Sequence, residues 1–431
     1  MLHHTLRRAL RTKRPALHPT GSMPKKLHHA HEWGTPPWRI GFRPTKRPIP
    51  AHADFIVVGA GFSGLSAAAW LRKLAPTKSV LVLERAAIGD SASGRTGGMA
   101  LAETAAGKLP GLGDVLRSYR QILRMLKIDA ELSLPGAFEL ARKSGPKLFR
   151  SPIHWNDSGD LHAVRKVPGG TVHPGKVAAG LARAAQRAGA HIIEHAEVLA
   201  LKPVGRRQSK PSSKRREVSN PASQAEVELK LRLHHHGKST TKTITATRVL
   251  LATNAQSLNL PELSSITHPK LTLAIATAPL TRAQIKSLGL ASRNPFYTVD
   301  LPYLWGRLTK NNSAIFGAGL VDPPQSHSGH DTHNLHRINI RKAPAAERLA
   351  WLEDRVRNLH PALKNIRITH RWGGPILLTE AAKPIFRQHP RHPQVTILAG
   401  FNGHGVALSV YLGHWAAQHL ATNHPLPNWS A

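Results

Sequence analysis

The sequence contains no cysteine. This absence excludes disulfide bonds, thiolate metal sites, cysteine nucleophiles and any prosthetic group attached through sulfur. The chain also lacks an apolar run near the length of about 18 residues that a membrane-spanning helix requires, so we expect no membrane span. A protein of the reducing cytoplasm is the simplest interpretation.

Acidic residues are scarce: 24 Asp and Glu face 60 Lys and Arg, for a formal net charge of +36. Such a charge attracts nucleic acid, anionic lipid or acidic substrates. The basic residues are scattered and aromatic residues make up only 5% of the chain. We therefore favour a solvated basic surface without a specific partner over a nucleic-acid interface.

Histidine is abundant, with 28 residues, but its spacing does not predict a metal site. Neighbouring side chains of the run His234–His236 would point to opposite faces of a strand, and no carboxylate accompanies them. We expect no bound metal.

With 431 residues, of which 41% are hydrophobic, the chain can form one large core or two ordinary ones, and we favour two. Residues 1–50 hold 11 Lys and Arg against the single acid Glu32. We interpret this segment as a basic, disordered extension. An organellar import sequence and a true start at Met23 are the alternatives.

The most informative segment spans residues 54–84. Phe55–Val58 is a continuous apolar run typical of a buried parallel strand. Gly59, Gly61 and Gly64 follow it with G-x-G-x-x-G spacing, which allows a tight turn, a close approach to a pyrophosphate, and packing of a helix on the strand.

A helix at Ser63–Leu74, a second strand at Ser79–Leu83 and the acid Glu84 complete the pattern. The helix start, at Phe62 and Ser63, would direct its amides at the pyrophosphate, and Glu84 would bind ribose hydroxyls. Together these features predict a dinucleotide site.

Further segments have clear patterns. We predict a helix that ends at Gly189, a flexible basic loop at 202–224, strands at Val227–Leu233, Thr241–Thr247 and Val395–Leu398, a buried strand in Arg248–Ala255, and helices at Ala345–Asn358 and Val406–Ala421.

Six segments, in order DFIVVGAGFSGLSAAAWL, GDSASGRTGGMA, VHPGKVAAGLARAAQRAGAHI, RVLLATNA, RWGGPILLTEAAKPIF and ILAGFNGHGVALSVYLG, resemble the D-amino-acid oxidase superfamily of FAD-dependent oxidoreductases. The chain is most similar to its glycine oxidase, sarcosine oxidase and gamma-glutamylputrescine oxidoreductase branch, over roughly residues 36–421. The resemblance implies an α/β fold in which a Rossmann-like FAD-binding domain is interrupted by a mixed-sheet α+β substrate domain. It assigns residues 51–140, 171–260 and 371–431 to the FAD-binding domain, and 141–170 and 261–370 to the substrate domain.

The resemblance also assigns FAD contacts. These are the glycine turn and helix start (Gly59, Gly61, Phe62, Ser63, Gly64), the ribose acid with its neighbour (Glu84, Arg85), a loop along the pyrophosphate and flavin (Ser93, Gly94, Arg95, Thr96, Gly97, Gly98), the adenine strand (Val198), a closing turn (Thr253, Asn254) and a turn before the last helix (Gly400, Asn402, Gly403, His404, Gly405). Amides of that last turn would stabilise the anionic reduced flavin. For His404, a hydrogen-bonded residue at the helix start is an equal alternative.

The implied reaction oxidises the C–N bond of an amine or amino acid by hydride transfer to flavin N5, followed by imine hydrolysis. Arg307 falls where relatives hold an arginine that grips the substrate carboxylate, and Tyr303 and Trp305 could form the walls of an amine pocket. Ile315 stands where sarcosine-oxidase-like members have a lysine that assists oxygen, so the electrons go to oxygen or to another acceptor. The alternative function, supported by the charge, is a flavoprotein that modifies tRNA or associates with nucleic acid. The oligomeric state is left open.

We predict that FAD is bound noncovalently, because the chain has no cysteine and no histidine near Thr96–Met99, where relatives with histidyl-flavin carry theirs. Heat or acid should release all the flavin into the supernatant. Yellow fluorescence that stays with the denatured protein band on a gel would contradict this prediction.

Overall fold

Two large β-sheets organise the described part of the chain, residues 32–142, 149–204, 226–235, 238–256, 261–324 and 334–429 of a computed structural model. The strands in chain order are β1 (His52–Val58), β2 (Val80–Leu83), β3 (Met99–Leu101), β4 (Ala137–Ala141), β5 (His154–Asn156), β6 (Asp160–Val167), β7 (Gly169–Thr171), β8 (His191–Ile193), β9 (Ala196–Val204), β10 (Glu226–His235), β11 (Lys238–Leu251), β12 (Thr267–Pro279), β13 (Phe296–Thr298), β14 (Trp305–Leu308), β15 (Ser313–Val321), β16 (Ile368–Thr379), β17 (Ile385–His389) and β18 (His392–Ala399).

The helices are α1 (Phe62–Leu74), α2 (Ala92–Arg95), α3 (Val115–Met125), α4 (Pro174–Arg187), α5 (Pro261–Ser264), α6 (Arg282–Ser287), α7 (Ala345–Asn358) and α8 (Gly405–Thr422). None of these described helices is long and apolar enough to cross a membrane.

The first sheet has the strand order β17-β18-β11-β1-β2-β8, with β10 and β9 added in antiparallel fashion beside β11. The pairs from β18 to β8 are parallel, and β1 connects through α1 to its neighbour β2. Strand β1 is buried on both faces. Val57 packs with α1, α4 and α8, whereas Ile56 and Val58 face a core shared with the second sheet.

The second sheet has the order β16-β12-β15-β14-β13-β4-β6-β5 and is mixed, because β13 and β4 run parallel while the other pairs are antiparallel. The prediction of an α/β fold is confirmed. Strands β4 and β16 cross the predicted boundaries at residues 140 and 370. The division into two domains at those positions stays a prediction.

Residues 32–50, which we call the N-terminal strap, differ from the expected disordered extension. Trp33 is only 1% exposed, and its carbonyl accepts a 2.7 Å hydrogen bond from the Gly373 amide. The Trp38 indole is also buried and donates to the Gly94 carbonyl at 2.8 Å. The expectation is therefore wrong for residues 32–50, because two large apolar rings are enough to anchor this proline-rich segment. Residues 1–31 lie outside the described part.

Most predicted elements are confirmed within a few residues. Helix α7 has the predicted bounds, and α1 and α8 each begin one residue earlier. Two expectations need correction. Residues 202–204 continue β9, so only 205–224 of the predicted loop remain, and these lie outside the described residues. The strand expected in Arg248–Ala255 is the end of the longer β11.

Candidate active site

A single cavity of about 2320 Å³ extends between the first sheet and the second. Glu84 and Val198 line it beside the first sheet, and Trp305 and Trp372 line it on the second. Pockets for small ligands usually measure about 300 to 1,000 Å³, so this cavity has room for a dinucleotide and a second molecule. Its position at the carboxyl ends of β1 and β2 is the usual one for nucleotide binding.

The predicted glycines shape one wall of this cavity. Gly59 has a φ of +104°, and a Cβ there would lie 2.7 Å from the Ala252 carbonyl oxygen. Gly61 caps α1 and lines the cavity. A Cβ on Gly64 would lie 2.0 Å from the Gly59 oxygen, so this glycine allows helix and strand to pack closely and does not line the cavity. Phe62 and Ser63 line it beside Gly61.

Glu84 ends the second strand with its carboxylate in the cavity wall. Its two oxygens accept hydrogen bonds from the Ala60 amide at 2.8 Å and the Ala86 amide at 2.9 Å. Burial raises the pKa of Glu84, and the two amide donors oppose that shift. Each oxygen keeps a lone pair for a further donor such as a ribose hydroxyl. Arg85 lines the cavity next to it.

Residues 93–98, which begin within the short helix α2, form a segment that we call the cofactor loop. It is bound to α1 because the Ser93 hydroxyl accepts a 2.9 Å hydrogen bond from the Phe62 amide. Ser93, Arg95, Thr96 and Gly97 line the cavity.

Gly94 and Gly98 do not line the cavity but shape the loop from behind. The Gly94 amide donates to the Gly89 carbonyl at 2.9 Å. Gly98 has a φ of +78°, and a Cβ there would lie 2.4 Å from the Val172 carbonyl oxygen. These two predicted cofactor residues are therefore placed to support the loop conformation.

The turn before α8 is held by side-chain amides. The Gly400 amide donates to Asn254 Oδ1 at 3.0 Å, and Asn402 Nδ2 donates to the Gly400 carbonyl at 2.6 Å. Asn402 Oδ1 also accepts the Thr379 amide at 2.7 Å. Gly400 lies behind the wall, whereas Asn254, Asn402 and their neighbours Thr253, Gly403 and Gly405 line the cavity. The N-terminus of α8 thus supplies positive potential to this wall.

His404 also lines the cavity, and its Nδ1 lies 3.2 Å from the Asn402 carbonyl oxygen. A carbonyl can only accept, so Nδ1 carries the proton and Nε2 is left as an acceptor. Burial lowers the pKa of His404, which favours this neutral form. A catalytic role for His404 stays a prediction.

Of the three predicted substrate residues, two line the cavity and one does not. Tyr303 and Trp305 line the cavity, and Trp305 packs so closely on Gly97 that a Cβ there would lie 2.1 Å from its ring. Arg307 does not line the cavity. Its Nε donates to the Gly97 carbonyl, and its Nη2 would lie 3.1 Å from a Cβ on Gly98. The structure therefore places Arg307 against the cofactor loop and outside the cavity wall, and its role as a substrate anchor stays a prediction.

Burial lowers the pKa of Arg307 to about 10, which still leaves it charged at neutral pH. Strand alternation puts Trp305 and Arg307 on one side of β14, and both contact the cofactor loop from there. Arg307 thus supports the cofactor loop by hydrogen bonding to Gly97, next to Gly98 and outside the cavity wall.

Sequence reasoning missed several wall residues. Trp33, Trp351 and Trp372 line the cavity, as do Arg43, Lys46 and Arg47 of the strap and Asp300 of the connection between β13 and β14. The chain has nine tryptophans, and two of them, Trp33 and Trp38, stand in the proline-rich strap. This pair is the one sequence signal that could have identified the strap as part of the site.

Comparisons with known proteins agree with this geometry. Residues 54–419 match the family DAO, described as FAD dependent oxidoreductase. The chain is 25% identical over 416 residues to a probable oxidoreductase OrdL of Rhizobium meliloti, covering 86% of this chain and 83% of that protein. It is 25% identical over 411 residues to gamma-glutamylputrescine oxidoreductase of Escherichia coli, covering 85% and 83%. The structure of glycine oxidase from Geobacillus kaustophilus has the same fold, with a TM-score of 0.60, 18% identity, and coverage of 88% of this chain and 96% of that one.

We predict that Arg307→Lys weakens FAD binding about tenfold or more, because lysine loses the Nε donor that holds Gly97. FAD titration into the apoprotein measures this change. The surface variant Arg293→Lys is the control and should bind FAD as the parent does. An unchanged FAD affinity, with weaker binding of carboxylate substrates alone, would instead return Arg307 to the role of substrate anchor.

Proposed function

The chain belongs to the DAO family of FAD-dependent oxidoreductases, and from this premise we propose that it oxidises the C–N bond of a small amine or amino acid. Relatives in both comparisons support this class, since they include gamma-glutamylputrescine oxidoreductase and glycine oxidase. The observation that carries the proposal is the continuity of the cavity. The same cavity is lined by the cofactor loop and by Tyr303 and Trp305 of the second sheet.

The protein's residues fit FAD. Gly59 and Gly61 leave space that a side chain would fill, Glu84 presents a carboxylate for ribose hydroxyls, and the N-terminus of α1 faces the same cavity. When bound, FAD supplies the hydride acceptor for the oxidation. The N-terminal turn of α8 stabilises negative charge next to it through the helix dipole.

We call the part of the cavity lined by Asp300, Tyr303 and Trp305 the substrate compartment. It holds the reacting amine by shape more than by charge. Trp305 packs against Gly97 and fixes the compartment directly beside the cofactor loop. Asp300, the acid that lines the cavity beside Tyr303, is already ion-paired with Arg142. The compartment therefore does not stabilise an ammonium strongly, which favours binding of the neutral amine. In the neutral amine, a hydride can leave from the carbon next to the nitrogen.

Ile315, which stands where sarcosine-oxidase-like members have a lysine that assists oxygen, does not face the cavity. This side chain is fully buried in a cluster with Trp38, Ala274, Ala276 and Trp372, and it does not line the cavity. A lysine at this position would be buried away from the cavity. We propose that electrons pass to oxygen or to another acceptor without such a lysine.

We predict that an amine or amino acid bleaches the flavin of the FAD-loaded protein under anaerobic conditions. Hydroxy acids with the same carbon skeletons are the control and should leave the flavin oxidised, because their C–O bond replaces the reacting C–N bond. Admission of air then separates an oxidase, which recovers its colour at once, from a dehydrogenase. Bleaching by hydroxy acids but by no nitrogen compound would contradict the proposed function.

A further inference from the structure

Exposed apolar side chains concentrate at the mouth of the cavity. Among the described residues, six large hydrophobic side chains are exposed: Leu74, Met125, Leu301, Tyr303, Leu320 and Trp351. The last four line the cavity, with exposures of 61, 37, 39 and 39%. We call these four the apolar rim. Exposed apolar patches often mark binding surfaces, and these four side chains line the same cavity as the candidate active site.

The apolar rim is held in place by a buried ion network. Arg355 Nε lies 2.9 Å from Asp157 Oδ1, and Arg355 Nη2 lies 2.6 Å from Asp157 Oδ2. The same guanidinium donates to the carbonyls of Pro302 at 2.7 Å and Tyr303 at 2.9 Å. It also lies 5.1 Å from the ring centre of Trp351. One side chain therefore joins two parts of the rim, the loop before β14 and helix α7.

Arg142 completes this network from the second sheet. Its side chain pairs with both Asp157 and Asp300, and its amide donates to Asp300 Oδ2 at 2.7 Å. The polar groups of the rim loop are thus satisfied on the inner side, and Leu301 is left to project outward. Leu301 is 61% exposed, so covering this apolar side chain with a ligand would be favourable.

The charges at the mouth disfavour a second positive charge on the ligand. Asp300 is neutralised by Arg142, and the exposed Arg348 lines the cavity one helical turn before Trp351. No described acidic side chain lies within ion-pair distance of Arg348. A diamine would therefore bring its distal ammonium toward an arginine and an already paired carboxylate.

Resting on the proposed function, we propose that the substrate carries a large apolar group, a long alkyl chain, on the side remote from the reacting nitrogen. This group packs against Leu301, Leu320 and Trp351 at the mouth. Amines and amino acids with short chains, and diamines such as putrescine, are then poor substrates.

The test compares two chain-length series on the FAD-loaded enzyme: primary alkylamines from butylamine to octylamine, and 2-amino acids from 2-aminobutyrate to 2-aminooctanoate, with putrescine and glycine alongside. Transfer of one methylene from water is worth about fourfold in binding, so we expect the rate constant of anaerobic flavin reduction at low substrate concentration to rise at least about tenfold along the active series. Putrescine should react more slowly than butylamine.

Leu301→Ser and Leu320→Ser should reduce this gain to about threefold or less, with the largest loss of rate for the longest compound of the series. Leu74→Ser and Met125→Ser, which alter the two exposed apolar residues outside the cavity, are the matched controls and should keep the full gain.

Flat chain-length series, or a gain that survives in both rim variants, would overturn the inference and leave the proposed function intact. Flavin that stays oxidised with every compound would contradict the proposed function, and this inference with it.

Discussion

The arrangement of the site depends on the hydrogen bonds made by the buried guanidinium of Arg95. It is 6% exposed and donates from Nε to the Asp90 carbonyl at 2.8 Å and from Nη1 to the Gly34 carbonyl at 2.8 Å. The guanidinium also lies 5.6 Å from the ring centre of Trp33. The backbone carbonyl of Arg95 accepts a 2.8 Å hydrogen bond from the Trp372 indole. A buried charge is costly unless it is well hydrogen-bonded, so these hydrogen bonds offset the cost of burying the Arg95 charge. Arg95 thereby fastens the cofactor loop to the N-terminal strap and to β16.

This fastening explains how two sheets share one cavity. The cofactor loop is bound to α1 on one side through Ser93 and to the second sheet on the other through Trp305 and Arg307. A loop held from both sides presents its cavity-facing groups in a fixed position before any ligand arrives, which lowers the entropy cost of binding. The apolar rim is fixed in a similar way by the half-buried Arg142 and the buried Arg355, so arginines position both the cofactor wall and the cavity mouth.

The sequence predicted the elements whose pattern is local. The strand β1, the glycine turn and α1 follow from adjacent residues, and so do α7 and α8, because hydrophobic periodicity and glycine spacing act over short distances. The strap was misjudged for the opposite reason. The order of the strap comes from contacts of Trp33 and Trp38 with residues more than fifty positions away. Likewise, no local pattern tells on which side of the cofactor loop the side chains of Trp305 and Arg307 lie, because packing between the sheets decides it.

The most direct test of this account is the FAD affinity of Trp38→Phe. Trp38 does not line the cavity, and phenylalanine keeps an aromatic ring in the core but removes the indole donor to the Gly94 carbonyl together with part of the ring volume. Loss of one buried hydrogen bond is worth about 1 kcal/mol or more, so we expect the dissociation constant for FAD, measured by titration of the apoprotein, to rise about fivefold or more. An affinity equal to that of the parent protein would contradict the claim that the strap holds the cofactor loop in its binding conformation.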